Sequence, residues 1–178
     1  TEFTPESSLP INWVLQEEQL GTGHAVQQAI PSIDTKDPNN TVLILYGDVP
    51  LITPETLQKL LALSGENSMS LLTLLTDNNQ GLGRIVRNGS GDVVAIVEEK
   101  DANEQQKQIR EINSGIMTVP APKLQKWLQQ IDNTNNQAEY YLTDIVALAV
   151  EDGCRINPLI IEDEFEVQGV NDKTQLAN

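Results

Sequence analysis

The sequence predicts an α/β fold: a mostly parallel central sheet, helices on both faces and an inserted β-hairpin. Three observations carry this expectation. The run Val42-Leu43-Ile44-Leu45-Tyr46 is short, continuously apolar and bounded by Asn39-Asn40 and Gly47, the pattern of a strand buried on both faces. A helix signature follows it, and a second apolar run, Met69 to Leu75, follows the helix, the order of a right-handed parallel crossover. Further on, Arg84-Ile85-Val86-Arg87 and Val93 to Val97 flank Asn88-Gly89-Ser90-Gly91-Asp92, a glycine- and asparagine-rich turn suited to closing a hairpin.

Each element has its own justification. Trp13-Val14-Leu15 reads as a short strand entering a loop, and Gly21-Thr22-Gly23 precedes a helical stretch through Ala25, Val26 and Ala29. Val42 to Tyr46 should be the central strand. Thr53-Pro54-Glu55 supplies an N-cap, a proline at the first helical position and an acid that suits the helix dipole. Leu57, Leu60 and Leu61 then form one face of a helix ending near Gly65. With its two strands this helix makes a Rossmann-like unit. The polar stretch Asp101 to Arg110 predicts an exposed helix or loop, and Ile112 to Val119 a strand stopped by Pro120 and Pro122. Leu124, Trp127, Leu128 and Ile131 recur at helical spacing, as do Leu142, Ile145, Val146 and Ala149 before Gly153. Asp132 to Ala138 is a polar loop between them, and Arg155 to Ile161 is the last strand. Trp13, Trp127 and the leucine stripes are core candidates. With no repeat, heptad run or linker, residues 1–178 read as one domain.

Composition narrows the function. A formal charge of −15 and an isoelectric point near 4.2 exclude a protein that tracks nucleic acid or an anionic membrane, since neutralising phosphates takes clustered Lys and Arg. A small phosphorylated ligand held by backbone amides remains compatible. Cys154 is the only cysteine, so there is no intrachain disulfide framework and the cytoplasm is the expected compartment. No apolar run approaches the roughly 20 residues needed to span a bilayer.

The candidate chemistry begins at Tyr46-Gly47-Asp48, because open α/β sheets bind ligands at the carboxyl ends of their strands. Mg²⁺ needs only one or two protein oxygens when phosphates and water complete its shell, so Asp48 is either a metal ligand or the start of a turn before Pro50. Gly21-Thr22-Gly23 could offer backbone N–H groups to a phosphate or base, yet it matches no Walker or dinucleotide pattern. His24 has no catalytic or metal-binding companions in sequence and reads as a capping or surface residue. Gly81-Leu82-Gly83-Arg84 leads into the hairpin or lets backbone approach a ligand. Of Glu98 and Glu99, one should face the ligand crevice, unless both are solvated. Cys154 reads as structural.

Taken in order, several blocks resemble a known family: Leu15-Gln16-Glu17-Glu18-Gln19-Leu20-Gly21-Thr22-Gly23-His24-Ala25, Leu45-Tyr46-Gly47-Asp48-Val49-Pro50-Leu51, Gly83-Arg84-Ile85, Ile96-Val97-Glu98, Glu111-Ile112-Asn113-Ser114-Gly115, Glu139-Tyr140-Tyr141-Leu142-Thr143-Asp144 and Val167-Gln168-Gly169-Val170-Asn171. The series is similar to the bacterial bifunctional N-acetylglucosamine-1-phosphate uridylyltransferases/glucosamine-1-phosphate acetyltransferases, from about Trp13 to the C-terminus. The resemblance implies a Rossmann-like nucleotidyltransferase domain in which N-acetylglucosamine 1-phosphate attacks UTP with Mg²⁺ assistance, giving UDP-N-acetylglucosamine and pyrophosphate. By matching motif it implies Asp48 and Asn171 as the metal-binding catalytic pair, with Gln16, Gly21 and Thr22 facing the uracil. Tyr46 and Gly47 would line the nucleotide-sugar site. Gly83, Glu98, Asn113, Tyr141 and Thr143 would contact the amino sugar, with Glu139 nearby.

The resemblance also implies departures. The family's opening strand, with its glycine-rich loop, arginine and Pro-Lys pair, has no counterpart before Trp13, so the expectation is weak or no turnover by this chain alone and an uncovered sheet edge. The family's β-helix acetyltransferase domain, which implies a homotrimer, has no counterpart either. Ala138 stands where the family pattern has Gly, and Leu82 where it has an aromatic residue. Two alternatives stay open: transfer to another sugar 1-phosphate, or a non-catalytic chain that keeps the fold.

Overall fold

The computed structural model describes residues 11–169. Along the chain run α1 (Thr22–Ala29), β1 (Thr41–Ile44), α2 (Pro54–Ala62), β2 (Ser68–Leu75), β3 (Arg84–Arg87), β4 (Val93–Val97), β5 (Glu111–Pro120), α3 (Ala121–Leu128), α4 (Ile145–Glu151) and β6 (Arg155–Ile161). The local signals explain most boundaries. Thr53 has an extended backbone and its hydroxyl accepts from the Thr56 amide at 3.2 Å, capping α2. Proline in the first turn of α3 coincides with the end of β5, because proline cannot donate into a ladder. Gly153, at φ +71, turns the chain from α4 into β6.

The six strands form one sheet in the order β4-β3-β5-β2-β6, with β1 also paired to β5. The pairings give β1, β2, β3 and β6 one direction and β4 and β5 the other, yet among the described residues only β2 and β6 are a hydrogen-bonded parallel pair. The crossover from β1 through α2 to β2 therefore joins parallel strands, but antiparallel β5 lies between them. Val42 to Tyr46 is thus not central: β1 is shorter, ends at Ile44, and pairs only with β5 among the described residues. An apolar run reports burial, and here the side chains of β1 are each half-buried.

Strand alternation distributes side chains to two cores. Met69 and Leu71 of β2, Met117 and Val119 of β5 and Ile156 of β6 pack with Leu124, Trp127, Leu128, Ile145, Val146 and Ala149 on one face. Leu72, Ile116 and Leu60 meet on the other, under α2. Helices cover both faces, as expected. Trp127 is fully buried and its indole N–H donates to Asp152 at 2.7 Å, meeting the polar requirement of a buried indole. Two core expectations fail. Trp13 is 80% exposed and Trp13–Leu15 forms no strand, since no described strand lies alongside to pair with it. Leu61 is 40% exposed on α2, whose inward turn is carried by Leu60. Among the described residues no helix is long and apolar enough to cross a membrane.

Candidate functional site

The site begins as a gap in the sheet. On one edge of β5, β2 pairs along the strand. On the other, β1 pairs with 117–120 and β3 meets only Ile112. Between these two partners lies a stretch of β5 with no strand beside it. Opposite the same stretch, the β2–β5 register shifts between Leu71 and Thr73, a bulge of the kind that re-aims side chains near ligand sites. Ser114 stabilises the bulge: its hydroxyl donates to the Leu72 carbonyl at 2.7 Å and accepts from the Ile116 amide at 3.2 Å. Gly115 takes φ +85 there.

Tyr46 fills one side of the gap. A Cβ at Gly115 would stand 1.7 Å from the Tyr46 ring, so glycine is what allows the aromatic ring to lie on the strand. Gly83 fills the other side: its carbonyl accepts from the Asn113 amide at 2.9 Å. A Cβ at Gly83 would stand 3.4 Å from both carboxylate oxygens of Glu98. The Thr143 hydroxyl donates to Glu98 at 2.9 Å. Thus Tyr46, Gly83, Glu98, Asn113 and Thr143, drawn from five segments, surround one position on β5.

Burial is the main cause that raises the Glu98 carboxyl above its ordinary range; Thr143 opposes the shift and Asp101 adds to it. Burial, Glu98 and Asp48 likewise hold the Tyr46 phenol up, as a neutral donor. Asn113 is buried and its Oδ1 has no partner among the described residues. A buried carbonyl left unpaired costs about 1–3 kcal/mol, so this oxygen is available to a donor on a ligand. Asn113 and Ser114 also line a cavity of 290 Å³ with Leu82, Ile112 and Phe165. Of the pair considered in sequence, Glu98 faces the site, whereas Glu99 pairs with buried Arg84 at 3.4 Å and accepts from the Gly81 amide.

The second group of expected residues is tied to the first through 139–143. Gly21, at φ +114, and Gly23 pack against Tyr140, where side chains would collide with the Tyr140 carbonyl at 2.6 and 3.0 Å. The Gly23 amide donates to that carbonyl and Thr22 accepts from the Leu142 amide at 3.1 Å. Gln16 contacts His24 Nδ1 at 2.9 Å and donates to the Gly21 carbonyl at 3.2 Å. His24 is half-buried between Gln16 and Gln28, a supporting role. Glu139 flanks Gly21, and Tyr141 is buried next to Thr143. The helix start is thereby held to the segment that supplies Thr143 and Tyr141.

Asp48 and Gly47 lie exposed just beyond β1, on a turn. Among the described residues no three His, Cys, Asp or Glu side chains cluster to hold a metal. Asn171 lies outside the described residues. The structure adds Gly115, Gln137 and Asp101 to the residues that shape the site. Of these, Gly115 stands in one of the ordered motifs, but its contact with Tyr46 across 68 intervening positions is not a sequence signal. Cys154 is free and buried, in keeping with a structural role.

Sheet topology and the gap on its ligand side define a Rossmann-like α/β domain. No family model matches the chain. Two curated relatives do. The bifunctional protein GlmU of Alkalilimnicola ehrlichii is 52% identical over 168 residues, covering 94% of this chain and 35% of the relative. GlmU of Stutzerimonas stutzeri is 53% identical over 167 residues, covering 94% and 36%. Over the span it covers, the chain belongs to the family of these bifunctional proteins, and it spans about a third of their length.

Proposed function

We propose that the protein of which this chain forms the described domain transfers uridylyl from UTP to N-acetylglucosamine 1-phosphate, releasing pyrophosphate and UDP-N-acetylglucosamine. The observation that carries this reading is the gap on β5, where Tyr46, Gly83, Glu98, Asn113 and Thr143 converge beside Asp48. It supplies what a sugar site needs. Glu98 accepts from hydroxyls, Asn113 Oδ1 accepts from an N–H or O–H donor, and Tyr46 offers an aromatic face. The reading assigns these side chains no covalent role, since such a transfer depends on alignment and charge stabilisation.

In this reading Gln16, Gly21 and Thr22 face the uracil, Glu98, Asn113, Tyr141 and Thr143 orient the amino sugar, and Glu139 supports them. Asp48 and Asn171 hold Mg²⁺. Bound there, the ion would neutralise phosphate charge during transfer. Cytoplasmic placement and a homotrimer for the whole protein belong to the same proposal.

Calorimetric titration tests it. UDP-N-acetylglucosamine should bind in preference to UDP-glucose, more tightly with Mg²⁺ than without, and Asp48→Asn should weaken the metal-dependent binding about tenfold or more. Equal affinity for the two sugars would overturn the amino-sugar assignment. A metal response unchanged by Asp48→Asn would overturn the role of Asp48.

A further inference from the structure

The asparagine-rich loop after α3 is more than a connection. Asn136 donates through its amide to Asp101 at 3.0 Å and through Nδ2 to the Lys100 carbonyl at 2.6 Å. Gln137 reaches in both directions: Lys100 Nζ donates to its Oε1, and its Nε2 donates to the Tyr141 hydroxyl at 2.8 Å. The loop therefore clamps the turn after Glu98 to the segment carrying Tyr141 and Thr143.

The Lys100 contact fixes more than position. An amide's oxygen and nitrogen are ordinarily exchangeable in assignment, but an ammonium carries donors only. Lys100 must therefore face Oε1, which turns Nε2 toward Tyr141. The Tyr141 oxygen is then an acceptor from Gln137, and its own proton has to go elsewhere. Burial raises the Tyr141 phenol, Gln137 opposes that shift, and Asp101 and Glu98 add to it.

We propose that Gln137, oriented by Lys100, is a positioning residue that presents the Tyr141 hydroxyl as a hydrogen-bond donor to the sugar side of the site, selecting an acceptor oxygen on the ligand. This rests on the nucleotide-sugar reading above. Neither Gln137 nor Lys100 needs to touch substrate for this to operate.

Two variants test the polarity in the full chain. Gln137→Glu keeps the Lys100 contact and the shape but can only accept from Tyr141, reversing the bond. Lys100→Met removes the group that fixes the amide, from an exposed position. UDP-N-acetylglucosamine affinity should fall about tenfold in Gln137→Glu, the size of one lost hydrogen bond, and by a smaller factor in Lys100→Met. UTP affinity should stay within about twofold in both. Unchanged sugar-nucleotide affinity, or an equal loss for both ligands, overturns the proposal.

A ligand-free measurement keeps its failure separate from failure of the proposed function. In Gln137→Met, which removes the donor without adding charge, the Tyr141 phenol followed by NMR should titrate at higher pH than in the parent protein. An unmoved Tyr141 titration overturns the positioning role even if no nucleotide sugar binds. Absence of binding by the parent protein, with Tyr141 moving as expected, would reject the substrate assignment alone.

Discussion

Single residues set the strained points of this site, and two of them invite opposite substitutions. Gly115 combines φ +85 with a Tyr46 ring where its Cβ would be. Gly115→Ala adds left-handed strain and overpacking, each worth about 1–2 kcal/mol. Urea unfolding should show a loss of at least about 2 kcal/mol, and displacement of Tyr46 should weaken nucleotide-sugar binding along with it. Ala138 is the reverse case. It is the one non-glycine residue with positive φ, 55°, among the described residues, at a position where the related pattern carries Gly. Ala138→Gly relieves the left-handed strain but adds freedom to the unfolded chain. The net expectation is a gain of about 0.5 kcal/mol, read as a rise of about 1–2 °C in thermal midpoint.

At the scale of elements, α2 depends on its cap and on a distant acid. Thr53 accepts from the Thr56 amide, and its amide and hydroxyl both donate to Glu166, at 3.3 and 3.1 Å. Thr53→Ala removes the hydroxyl's part of this and should destabilise by about 1 kcal/mol, with hydrogen exchange accelerating first in α2; Thr53→Ser should restore most of the loss. This helix was legible because Thr53-Pro54-Glu55 is a local signal. So were the hairpin of β3 and β4 and the helical spacing around Trp127. Pairing was less legible. An apolar run such as Val42 to Tyr46 reports that side chains are buried, not which strand lies alongside, and β5 comes to separate β1 from β2 only after 66 further residues of chain separate Ile44 from Glu111. Trp13 shows the same limit, since its apolar character does not create a partner.

Across the whole molecule, Tyr46, Gly83, Glu98, Asn113 and Thr143, which the structure brings together, each stand in an ordered motif of the sequence, whereas the bulge at Gly115 and the hydrogen-bond polarity at Gln137 arise from contacts between distant segments. Charge is the other whole-molecule property, and it makes the last prediction. The chain carries 26 acidic against 11 basic side chains, and several carboxylates near the site act on one another's titration. Asp144 is raised to about 6 from an ordinary 3.8, first by burial and then by Asp132, Glu98 and Asp101. Glu98 is raised as well, again chiefly by burial. A raised carboxyl means that the folded protein keeps a proton the unfolded chain has already released. The stability linked to that proton is complete below about pH 4 and is lost as pH rises through about 6. Exposed carboxylates beside cations, such as Glu104 by Lys107, are lowered and contribute with the opposite sign, on the acid side. The thermal midpoint should therefore be higher near pH 5 than near pH 8. Asp144→Asn tests the cause, because it removes the buried charge while keeping the shape. It should stabilise by about 1 to 2 kcal/mol at pH 7.5, with part of the full linkage lost to solvent screening, and by almost nothing at pH 4. A gain that is the same at both pH values would assign the effect to packing and leave the carboxylate cluster without a part in the pH dependence.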